Sequence, residues 1–357
     1  MKKIVFFSGG IDRSGGIERV LSIVASGLAK SGYDVTIVSM CGEKRSHYEL
    51  DVNVKTLFME ASDFSKNIHK NIKKLSGIID SIEPDYWVDV DIILSLYTYF
   101  VRKKHKNVKW ISWEHFNYFY DFPYYRLLRR IARKIACSHA DCIVVLSRED
   151  EGYYKENKKI KGRIVSIYNP IPYEVSDETF EKKKTVLAAG RLVKIKGFDL
   201  LIDAWNKIEK DNPDWKLVIA GEGEERQELE KRIENYGLKN VTLTGFIDEM
   251  QNLYREASVF ALSSKCEGFV MTLLEALSFG VPCVAFSCKA GVKEIIEDGI
   301  NGYLVTPEDT DEFAEKLSSL MNNDEIRSRM SENCKPAARK FSPEIIIEKW
   351  IELLNSL

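Results

Sequence analysis

Two glutamates bracket a short apolar stretch in the second half of the sequence. Glu267 follows a predicted strand, and Glu275 lies inside a helix that we expect to begin near Val270. A carboxylate on a half-buried helix face needs partners, and a vicinal diol offers two hydroxyl donors. The N–H groups of Phe269, Val270 and Met271 open the helix and favour an anion. The segment predicts a site for a hydroxyl-bearing anionic ligand, and a helix cap with an ordinary salt bridge is the alternative.

A basic loop with two glycines follows the predicted strand Thr185–Ala189. Arg191 offers a planar fork of hydrogen-bond donors, and Lys196 offers a mobile positive charge. Both lie close to a glycine at the end of a strand, where a diphosphate can be bound. A solvated surface loop is the alternative, because most Lys and Arg residues face water.

Two further candidates follow strands in the first half. Gly15 and Gly16 lie between the first strand and its helix, where backbone N–H groups can attract an anion. They do not form the G-x-G-x-x-G pattern of dinucleotide-binding proteins, and a tight turn is the alternative. His115 follows the predicted strand Lys109–Ser112 and is the only histidine directly after a predicted core strand. A single histidine is more often structural than catalytic, but this position favours a functional role.

These candidates depend on an alternation of strands with helices such as Ile17–Lys30. Such alternation predicts parallel sheets with helices on both faces, and ligands bind at the carboxyl ends of the strands. The predicted strands are Lys3–Ser8, Asp34–Ser39, Ile92–Leu96, Lys109–Ser112, Cys142–Leu146, Ile164–Ile167, Thr185–Ala189, Lys216–Ala220, Val241–Thr244, Val259–Leu262 and Cys283–Phe286.

Pro170, Pro172 and a polar stretch after them interrupt the alternation, which indicates an interdomain linker. The predicted fold is α/β, with two doubly wound Rossmann-like domains that face a cleft. The predicted boundaries are a first domain over 1–170, a linker over 171–184, a second domain over 185–342 and a closing helix over 343–357.

The composition is that of an ordinary globular protein. Of 357 residues, 45% are hydrophobic and 30% charged, which excludes a disordered or collagen-like chain. No apolar run reaches the roughly 18 residues of a membrane-spanning helix, and the apolar start falls short of the about 7–15 residues of a signal peptide core. The seven cysteines lack a C-x-x-C pattern, and the five histidines lack metal-ligand spacing. We therefore expect free thiols, a cytoplasmic location and no metal site.

Four short motifs occur in a fixed order along the chain. They are Gly15-Gly16-Ile17-Glu18, Gly190-Arg191-Leu192 with Lys196-Gly197, Glu267 with Glu275, and Asp298-Gly299 with Asn301-Gly302. With these motifs the sequence resembles, over nearly its whole length, the family-four retaining glycosyltransferases of the two-Rossmann-domain type called GT-B. The resemblance implies transfer of a hexose or N-acetylhexosamine from a UDP-sugar, with retention, to a saccharide acceptor. The acceptor would be lipid-linked, in surface polysaccharide or lipopolysaccharide synthesis.

The resemblance also implies a role for each candidate in the second domain. Arg191 and Lys196 would bind the donor diphosphate and neutralise its charge in place of a metal, so that no cofactor is expected. Glu275 would hold the ribose hydroxyls, and Glu267 would lie beside the donor sugar. The leaving diphosphate itself can accept the proton of the acceptor, so that no carboxylate nucleophile is required.

The remaining roles that the resemblance implies concern the base and the first domain. The backbone around Phe246 and Ile247 would meet the base, and Gly16 would approach the diphosphate. His115 would contact the donor sugar near the reacting centre, and the closing helix would cross back onto the first domain. The expected catalytic residues are His115, Glu267, Arg191 and Lys196. The expected donor-binding residues are Gly16, Arg191, Lys196, Phe246, Ile247, Glu267, Phe269, Val270, Met271 and Glu275.

A basic amphipathic stretch over Tyr124–His139 predicts contact with an anionic membrane surface. Residues 1–170 hold 28 Lys and Arg against 20 Asp and Glu, whereas the remainder holds 24 against 34. Within the stretch, Leu127, Leu128, Ile131 and Ile135 recur at helical spacing, and Arg126, Arg129, Arg130, Arg133 and Lys134 occupy much of the remaining surface. Nearby aromatic residues would grip an acceptor sugar or the interface; they are Phe116, Tyr118, Phe119, Tyr120, Phe122, Tyr124 and Tyr125. An ordinary core helix with a solvated face is the alternative.

Other functions are compatible with parts of the pattern. Asp89 and Asp91 form a D-x-D pair that could share a divalent cation in a metal-dependent sugar transferase, although residues two apart in a strand point to opposite faces. A non-catalytic nucleotide-sugar binding protein is a second alternative. An NAD-dependent oxidoreductase lacks its fingerprint here, and nucleic-acid binding lacks a recognised module, so that no nucleic-acid partner is expected.

Overall fold

The computed structural model describes residues 1–61, 64, 67–119, 125–289 and 291–357. The chain forms two compact units. The first combines Met1–Pro172 with Pro343–Leu357, and the second is Tyr173–Ser342. The last helix therefore belongs to the first unit, and the boundary between the units falls at the start of the predicted linker.

Each unit is built on a parallel sheet, as the alternating pattern predicts. The strand order is β3-β2-β1-β4-β5-β6-β7 in the first sheet and β10-β9-β8-β11-β12-β13 in the second. The strands are β1 (Lys3–Ser8), β2 (Asp34–Ser39), β3 (Lys55–Phe58), β4 (Tyr86–Val90), β5 (Lys109–Trp113), β6 (Cys142–Val145), β7 (Arg163–Ser166), β8 (Lys183–Ala189), β9 (Lys216–Ala220), β10 (Val241–Gly245), β11 (Ala257–Leu262), β12 (Cys283–Phe286) and β13 (Gly302–Val305).

Helices connect the strands. They are α1 (Gly16–Lys30), α2 (Ile68–Ile82), α3 (Ser95–Arg102), α4 (Arg126–His139), α5 (Arg148–Asn157), α6 (Phe198–Ile208), α7 (Arg226–Tyr236), α8 (Gln251–Glu256), α9 (Met271–Ser278), α10 (Val292–Ile295), α11 (Thr310–Asn322), α12 (Asp324–Arg339) and α13 (Pro343–Ser356). None of the helices in the described ranges is long and apolar enough to cross a membrane.

The closing helix α13 completes the core of the first unit. Trp350 packs edge-on against Trp113 of β5 at 4.8 Å between ring centroids, and against Phe6 of β1 at 6.3 Å. The hydroxyl of Tyr86 on β4 donates to the Leu354 carbonyl at 2.6 Å. Truncation of such a buried tryptophan costs about 3–5 kcal/mol, so α13 fixes the central strands that precede the first unit's candidate residues.

One predicted strand is wrong. The sequence predicts a strand over Ile92–Leu96, whereas β4 ends at Val90 and Ile92–Leu94 forms a 3-10 turn that leads into α3. The preceding segment contains Asp89, a residue type that is rare in strands. Here the Asp89 carboxylate is fully buried, because two tryptophan N–H groups and two hydroxyl groups donate to it. The short strands β3 and β13 were not predicted.

Candidate active site

The predicted diphosphate loop follows β8, the strand at which the strand order of the second sheet reverses. The chain runs from β8 outward to β9 and β10, and then returns to place β11 on the other side of β8. The loops after β8 and β11 therefore lie side by side at the carboxyl ends of the strands, at the reversal point where open α/β sheets bind ligands. Arg191 and Lys196 follow β8, and Glu267 follows β11.

The structure brings two of these predicted residues into direct contact. The Nζ atom of Lys196 donates to Oε1 of Glu267 at 2.6 Å, and both side chains are partly buried. Arg191 is exposed, and its side chain forms no hydrogen bond or ion pair with the residues that the structure describes. The loop therefore presents Arg191 to solvent, whereas Lys196 is held by a carboxylate.

Glycines let the backbones of neighbouring loops touch at this edge of the sheet. A Cβ atom on Gly221 would lie 1.9 Å from the carbonyl oxygen of Gly190, and one on Gly197 would lie 2.2 Å from that of Ser263. Gly197 also has φ +62°, which side-chain-bearing residues rarely adopt. The backbones of the loops after β8, β9 and β11 are consequently packed closely together next to Arg191.

Glu275 lies inside α9, and its side chain is buried. The hydroxyl of Tyr254, which ends a fully buried side chain of α8, donates to Oε2 of Glu275 at 2.7 Å. The helix α9 begins at Met271, one residue after the predicted start, and Phe269 and Val270 are buried before it. The bond from Tyr254 fixes one carboxylate oxygen of Glu275.

The residues expected to meet the base are less enclosed. Phe246 follows β10 and is 60% exposed, and Ile247 is partly buried. No hydrogen bond or ring contact joins Phe246 to the other predicted site residues within the described ranges. The structure therefore brings together Lys196 with Glu267, but not Phe246 with either.

In the first unit, Gly16 and His115 follow two strands of the first sheet that are separated by β4. Gly16 is the exposed first residue of α1, after β1, and His115 follows β5. The His115 imidazole lies 4.4 Å from the Trp113 ring and is only 6% exposed. Burial lowers the pKa of His115 to about 4; among the smaller effects, Asp91 raises this pKa and Arg129 lowers it. The ring is therefore neutral near pH 7, and its Nε2 has no hydrogen-bond partner in the described part of the chain.

The D-x-D pair is occupied by protein groups. Asp89 accepts hydrogen bonds from Trp87, Trp110, Ser95 and Thr98, and burial raises the pKa of its carboxyl to about 7. Asp91 accepts from Arg129 at 2.9 Å and from the Ile93 N–H at 3.1 Å. Because their oxygens already accept protein donors, the two carboxylates do not form an open pair for a cation in this conformation.

The orientation of α4 corrects the expected basic surface. Arg129 and Arg133 are buried, although the sequence places them on the outer face. Arg129 donates to Glu114 at 2.6 Å, and Arg133 donates to the hydroxyl of Tyr154 at 2.9 Å. The interaction of these arginines with a buried glutamate outweighs their preference for water. They are therefore part of the core, and only the other basic residues of α4 face outward.

The outer face of α4 combines apolar and basic side chains. Leu127 is 71% exposed and Ile131 is 42% exposed. The exposed basic residues on the same helix are Arg126, Arg130 and Lys134. Of the nearby aromatic residues, Tyr120, Phe122 and Tyr124 lie outside the described residues, and Phe119 and Tyr125 are exposed. We call Arg126, Leu127, Arg130, Ile131 and Lys134 the outer face of α4.

Two residues beside the predicted site were not found from the sequence. Tyr254 contacts Glu275 from a position 21 residues earlier, and Arg129 contacts Glu114 from 15 residues later. The only sequence signal for Tyr254 is a large aromatic residue just before a predicted buried strand, and for Arg129 it is a basic residue on an apolar helix. Neither signal identifies the partner.

Comparisons with known proteins agree with this arrangement. Residues 14–175 match the model of Glycosyltransferase Family 4, and residues 173–336 match that of Glycosyl transferases group 1. The amylovoran biosynthesis glycosyltransferase AmsD of Erwinia amylovora is 30% identical over 99% of this chain and 100% of its own.

Two further similarities cover nearly the whole chain. The GalNAc-alpha-(1->4)-GalNAc-alpha-(1->3)-diNAcBac-PP-undecaprenol alpha-1,4-N-acetyl-D-galactosaminyltransferase of Campylobacter jejuni is 31% identical over 99% of this chain and 98% of its own. The crystal structure of a mutant of TarM from S. aureus, in complex with Fondaparinux, alpha-GlcNAc-glycerol and UDP, superposes with a TM-score of 0.85 at 17% identity, over 99% of this chain and 100% of that one. The two parallel sheets, the family matches and these relatives together show that the chain belongs to the group 1 glycosyltransferases of GT-B fold.

Proposed function

We propose that this protein transfers a hexose or an N-acetylhexosamine from a UDP-sugar, with retention of configuration, to a lipid-linked saccharide in bacterial surface polysaccharide or lipopolysaccharide synthesis. The observation that carries the proposal is the Lys196–Glu267 contact at 2.6 Å beside exposed Arg191, at the reversal point of the second sheet. The UDP in the TarM structure and the undecaprenol-linked saccharide in the name of the Campylobacter relative support the donor and acceptor classes.

The donor diphosphate would be bound by Arg191 and Lys196. Arg191 offers two parallel N–H donors to a phosphate, and Lys196 can turn from Glu267 toward the ligand as a mobile charge. Together they would stabilise the negative charge that grows on the diphosphate as its bond to the sugar breaks, without a metal ion. Glu267, released by Lys196, would then accept hydrogen bonds from hydroxyl groups of the donor sugar.

The nucleoside would be bound by other residues of the second unit. Glu275 would accept from the two ribose hydroxyls, and Phe246 and Ile247 would contact the base. The N–H groups around Phe269, Val270 and Met271 would face the anionic part of the donor. The exposure of Phe246 supports this assignment, because an apolar ring at the end of a strand gains a partner when a base covers it.

The reaction would exchange one bond for another on the same face of the sugar. The bond between the anomeric carbon and the diphosphate oxygen breaks, and the acceptor oxygen forms the new bond while its proton passes to the diphosphate. Gly16 would approach the diphosphate, and His115 would contact the donor sugar as a neutral ring. Proton NMR of the product formed from a UDP-sugar tests the proposal: the anomeric configuration of the donor is expected, and an inverted product or donor binding without turnover would contradict it.

Replacement of His115 with alanine should slow turnover by about 10²-fold, the range of a lost positioning contact, with little change in the donor KM. The imidazole is expected to act on the reacting sugar, whereas the diphosphate and ribose are bound elsewhere. Steady-state kinetics of His115→Ala and of the smaller change His115→Asn would measure this. A raised donor KM with an unchanged kcat would show instead that His115 contributes to ground-state binding of the donor.

The outer face of α4 would contact an anionic membrane, where a lipid-linked acceptor resides. Leu127 and Ile131 are exposed and would enter the interface, and three exposed basic residues would each contribute about 1 kcal/mol near the surface. We expect the double variant Leu127→Ser/Ile131→Ser to lose most of its sedimentation with phosphatidylglycerol vesicles. The matched control is Val52→Ser, because Val52 is 96% exposed and lies outside α4. Absence of binding by the unmodified protein at low salt would contradict membrane contact.

A further inference from the structure

The turn that carries His115 is closed by a buried glutamate. Glu114 directly follows β5 and is fully buried, and its Oε1 atom accepts a hydrogen bond from the backbone N–H of Phe116 at 3.1 Å. This bond spans His115 and constrains the backbone on both sides of it. The direction of the imidazole, which packs on Trp113, therefore depends on where the Glu114 carboxylate is held.

Arg129 of α4 holds that carboxylate and a second one. Its Nη2 donates to Oε1 of Glu114 at 2.6 Å, and its Nη1 donates to Oδ2 of Asp91 at 2.9 Å. Asp91 follows β4 with φ 104°, a conformation that only glycine adopts easily, so contacts from outside must maintain it. The guanidinium also lies 4.5 Å from the Phe116 ring. One buried side chain thus joins the loops after the neighbouring strands β4 and β5 around His115.

The second oxygen of Glu114 is held as well. The Tyr154 hydroxyl donates to Oε2 at 3.1 Å, and Arg133 forms an ion pair with the same oxygen at 3.5 Å. Arg133 in turn donates to the Tyr118 carbonyl at 2.8 Å, two residues beyond Phe116. Arg129 and Arg133, on the buried side of α4, therefore contact the segment on both sides of His115. Neither arginine is among the expected catalytic residues.

We propose that Arg129 and Glu114 are positioning residues that orient His115 for turnover. This inference rests on the proposed function, in which His115 contacts the donor sugar. An arginine fork can bridge two carboxylates in a fixed geometry, which a lysine cannot do. Release of the bridge would leave Glu114 and the His115 turn free to shift. A misplacement of about 1 Å at a reacting centre can cost about 10²-fold in rate.

Kinetics of two conservative variants test the inference. Arg129→Lys keeps a positive charge but loses the bridge, and Glu114→Gln keeps the shape but loses the ion pair. Both should lower kcat by about 10- to 100-fold, with the donor KM within about two-fold of the unmodified enzyme. The matched control is Arg232→Lys, because Arg232 makes a two-bond pair with Asp203 at 2.7 and 2.9 Å in the second unit. The control should retain kcat.

The outcomes separate positioning from a structural role. Loss of kcat and donor binding together, in proportion to a reduced folded fraction, would overturn the proposal. So would a kcat within about two-fold of the unmodified enzyme in both variants. Thermal unfolding of each variant measures the folded fraction at the assay temperature. If Arg129 and Glu114 position His115, we expect an unchanged UDP affinity together with a lowered kcat.

A titration of His115 keeps the inference distinct from the proposed function. Asp91 and Arg129 are the charged groups that act on this imidazole, and burial sets its pKa to about 4. Arg129→Lys keeps the positive charge beside the imidazole but loses the bridge, so that a change in the pKa of His115, measured by NMR, reports movement of the ring and not loss of a charge. If the unmodified enzyme transfers no sugar, the proposed function fails, and the titration decides the positioning role: an unchanged pKa in Arg129→Lys overturns it, and a changed pKa supports it.

Discussion

Replacement of Lys196 with alanine should lower kcat by about 10²–10³-fold, the range for loss of one preorganised group that stabilises a developing negative charge. Lys196 lies at the reversal point of the second sheet, with its Nζ atom 2.6 Å from Glu267. With the donor bound, the lysine would neutralise the departing diphosphate. Its loss leaves that charge to Arg191 alone. Single-turnover kinetics with saturating donor would measure the chemical step directly.

A neighbouring lysine provides the control. Lys194 is exposed two residues earlier in the same loop, so Lys194→Ala removes a similar charge without the contact to Glu267. We expect Lys194→Ala to retain kcat. Equal losses in the two variants would indicate a general electrostatic effect of the loop and would contradict a specific role of Lys196. The partner variant Glu267→Gln should be less damaging than Lys196→Ala, because it removes no positive charge.

Replacement of Glu275 with alanine should weaken donor and UDP binding by about 10- to 100-fold, which corresponds to the roughly 1.5–3 kcal/mol of hydrogen bonds to a charged group. Glu275 is buried in α9 and has one oxygen fixed by Tyr254 at 2.7 Å. In our proposal its carboxylate accepts from the ribose hydroxyls. Calorimetry with UDP, together with the donor KM, would measure the loss.

The control for Glu275 uses a second buried tyrosine. Tyr254→Phe removes only the hydroxyl that holds Glu275, and it should reproduce part of the loss in UDP affinity. Tyr154→Phe removes a similar hydroxyl from Glu114 in the first unit and should leave UDP affinity unchanged. If Glu275→Ala leaves the donor KM unchanged in a folded enzyme, the ribose assignment is wrong.

The sequence predicted strands well where both faces are buried. Strands β1, β2, β9 and β12 have the predicted bounds, because runs of β-branched and apolar residues between helices leave little choice of structure. The predicted strand over Ile92–Leu96 was wrong because the true strand contains an aspartate. Its four hydrogen-bond donors come from Trp87 of the same strand, from Trp110 of β5 and from two hydroxyl groups of the next helix. Burial of a polar group depends on such partners, and a local pattern does not identify them.

The same reason explains what the sequence could and could not indicate about the site. The sequence predicted that Lys196 and Glu267 each follow a strand of the second domain. The structure shows that these strands are neighbours and that the two side chains are in contact. By contrast, the helical periodicity of α4 correctly predicted a helix, but it wrongly predicted that Arg129 and Arg133 face solvent. Their buried partner Glu114 follows a different strand, and only the folded sheet brings it beneath the helix. The roles of all these residues toward a substrate stay predictions.

The most direct measurement is a calorimetric titration of the pure protein with UDP in the presence of EDTA, followed by GDP, ADP and NAD. We expect UDP to bind without a metal ion, and we expect its affinity to fall in Glu275→Ala, by the same factor of about 10 to 100, and in Arg191→Ala. A preference for GDP or ADP would keep the family and replace the proposed donor. If UDP does not bind in EDTA but binds once Mg²⁺ or Mn²⁺ is added, charge neutralisation by Arg191 and Lys196 is contradicted. That result would favour the alternative of a metal-dependent sugar transferase.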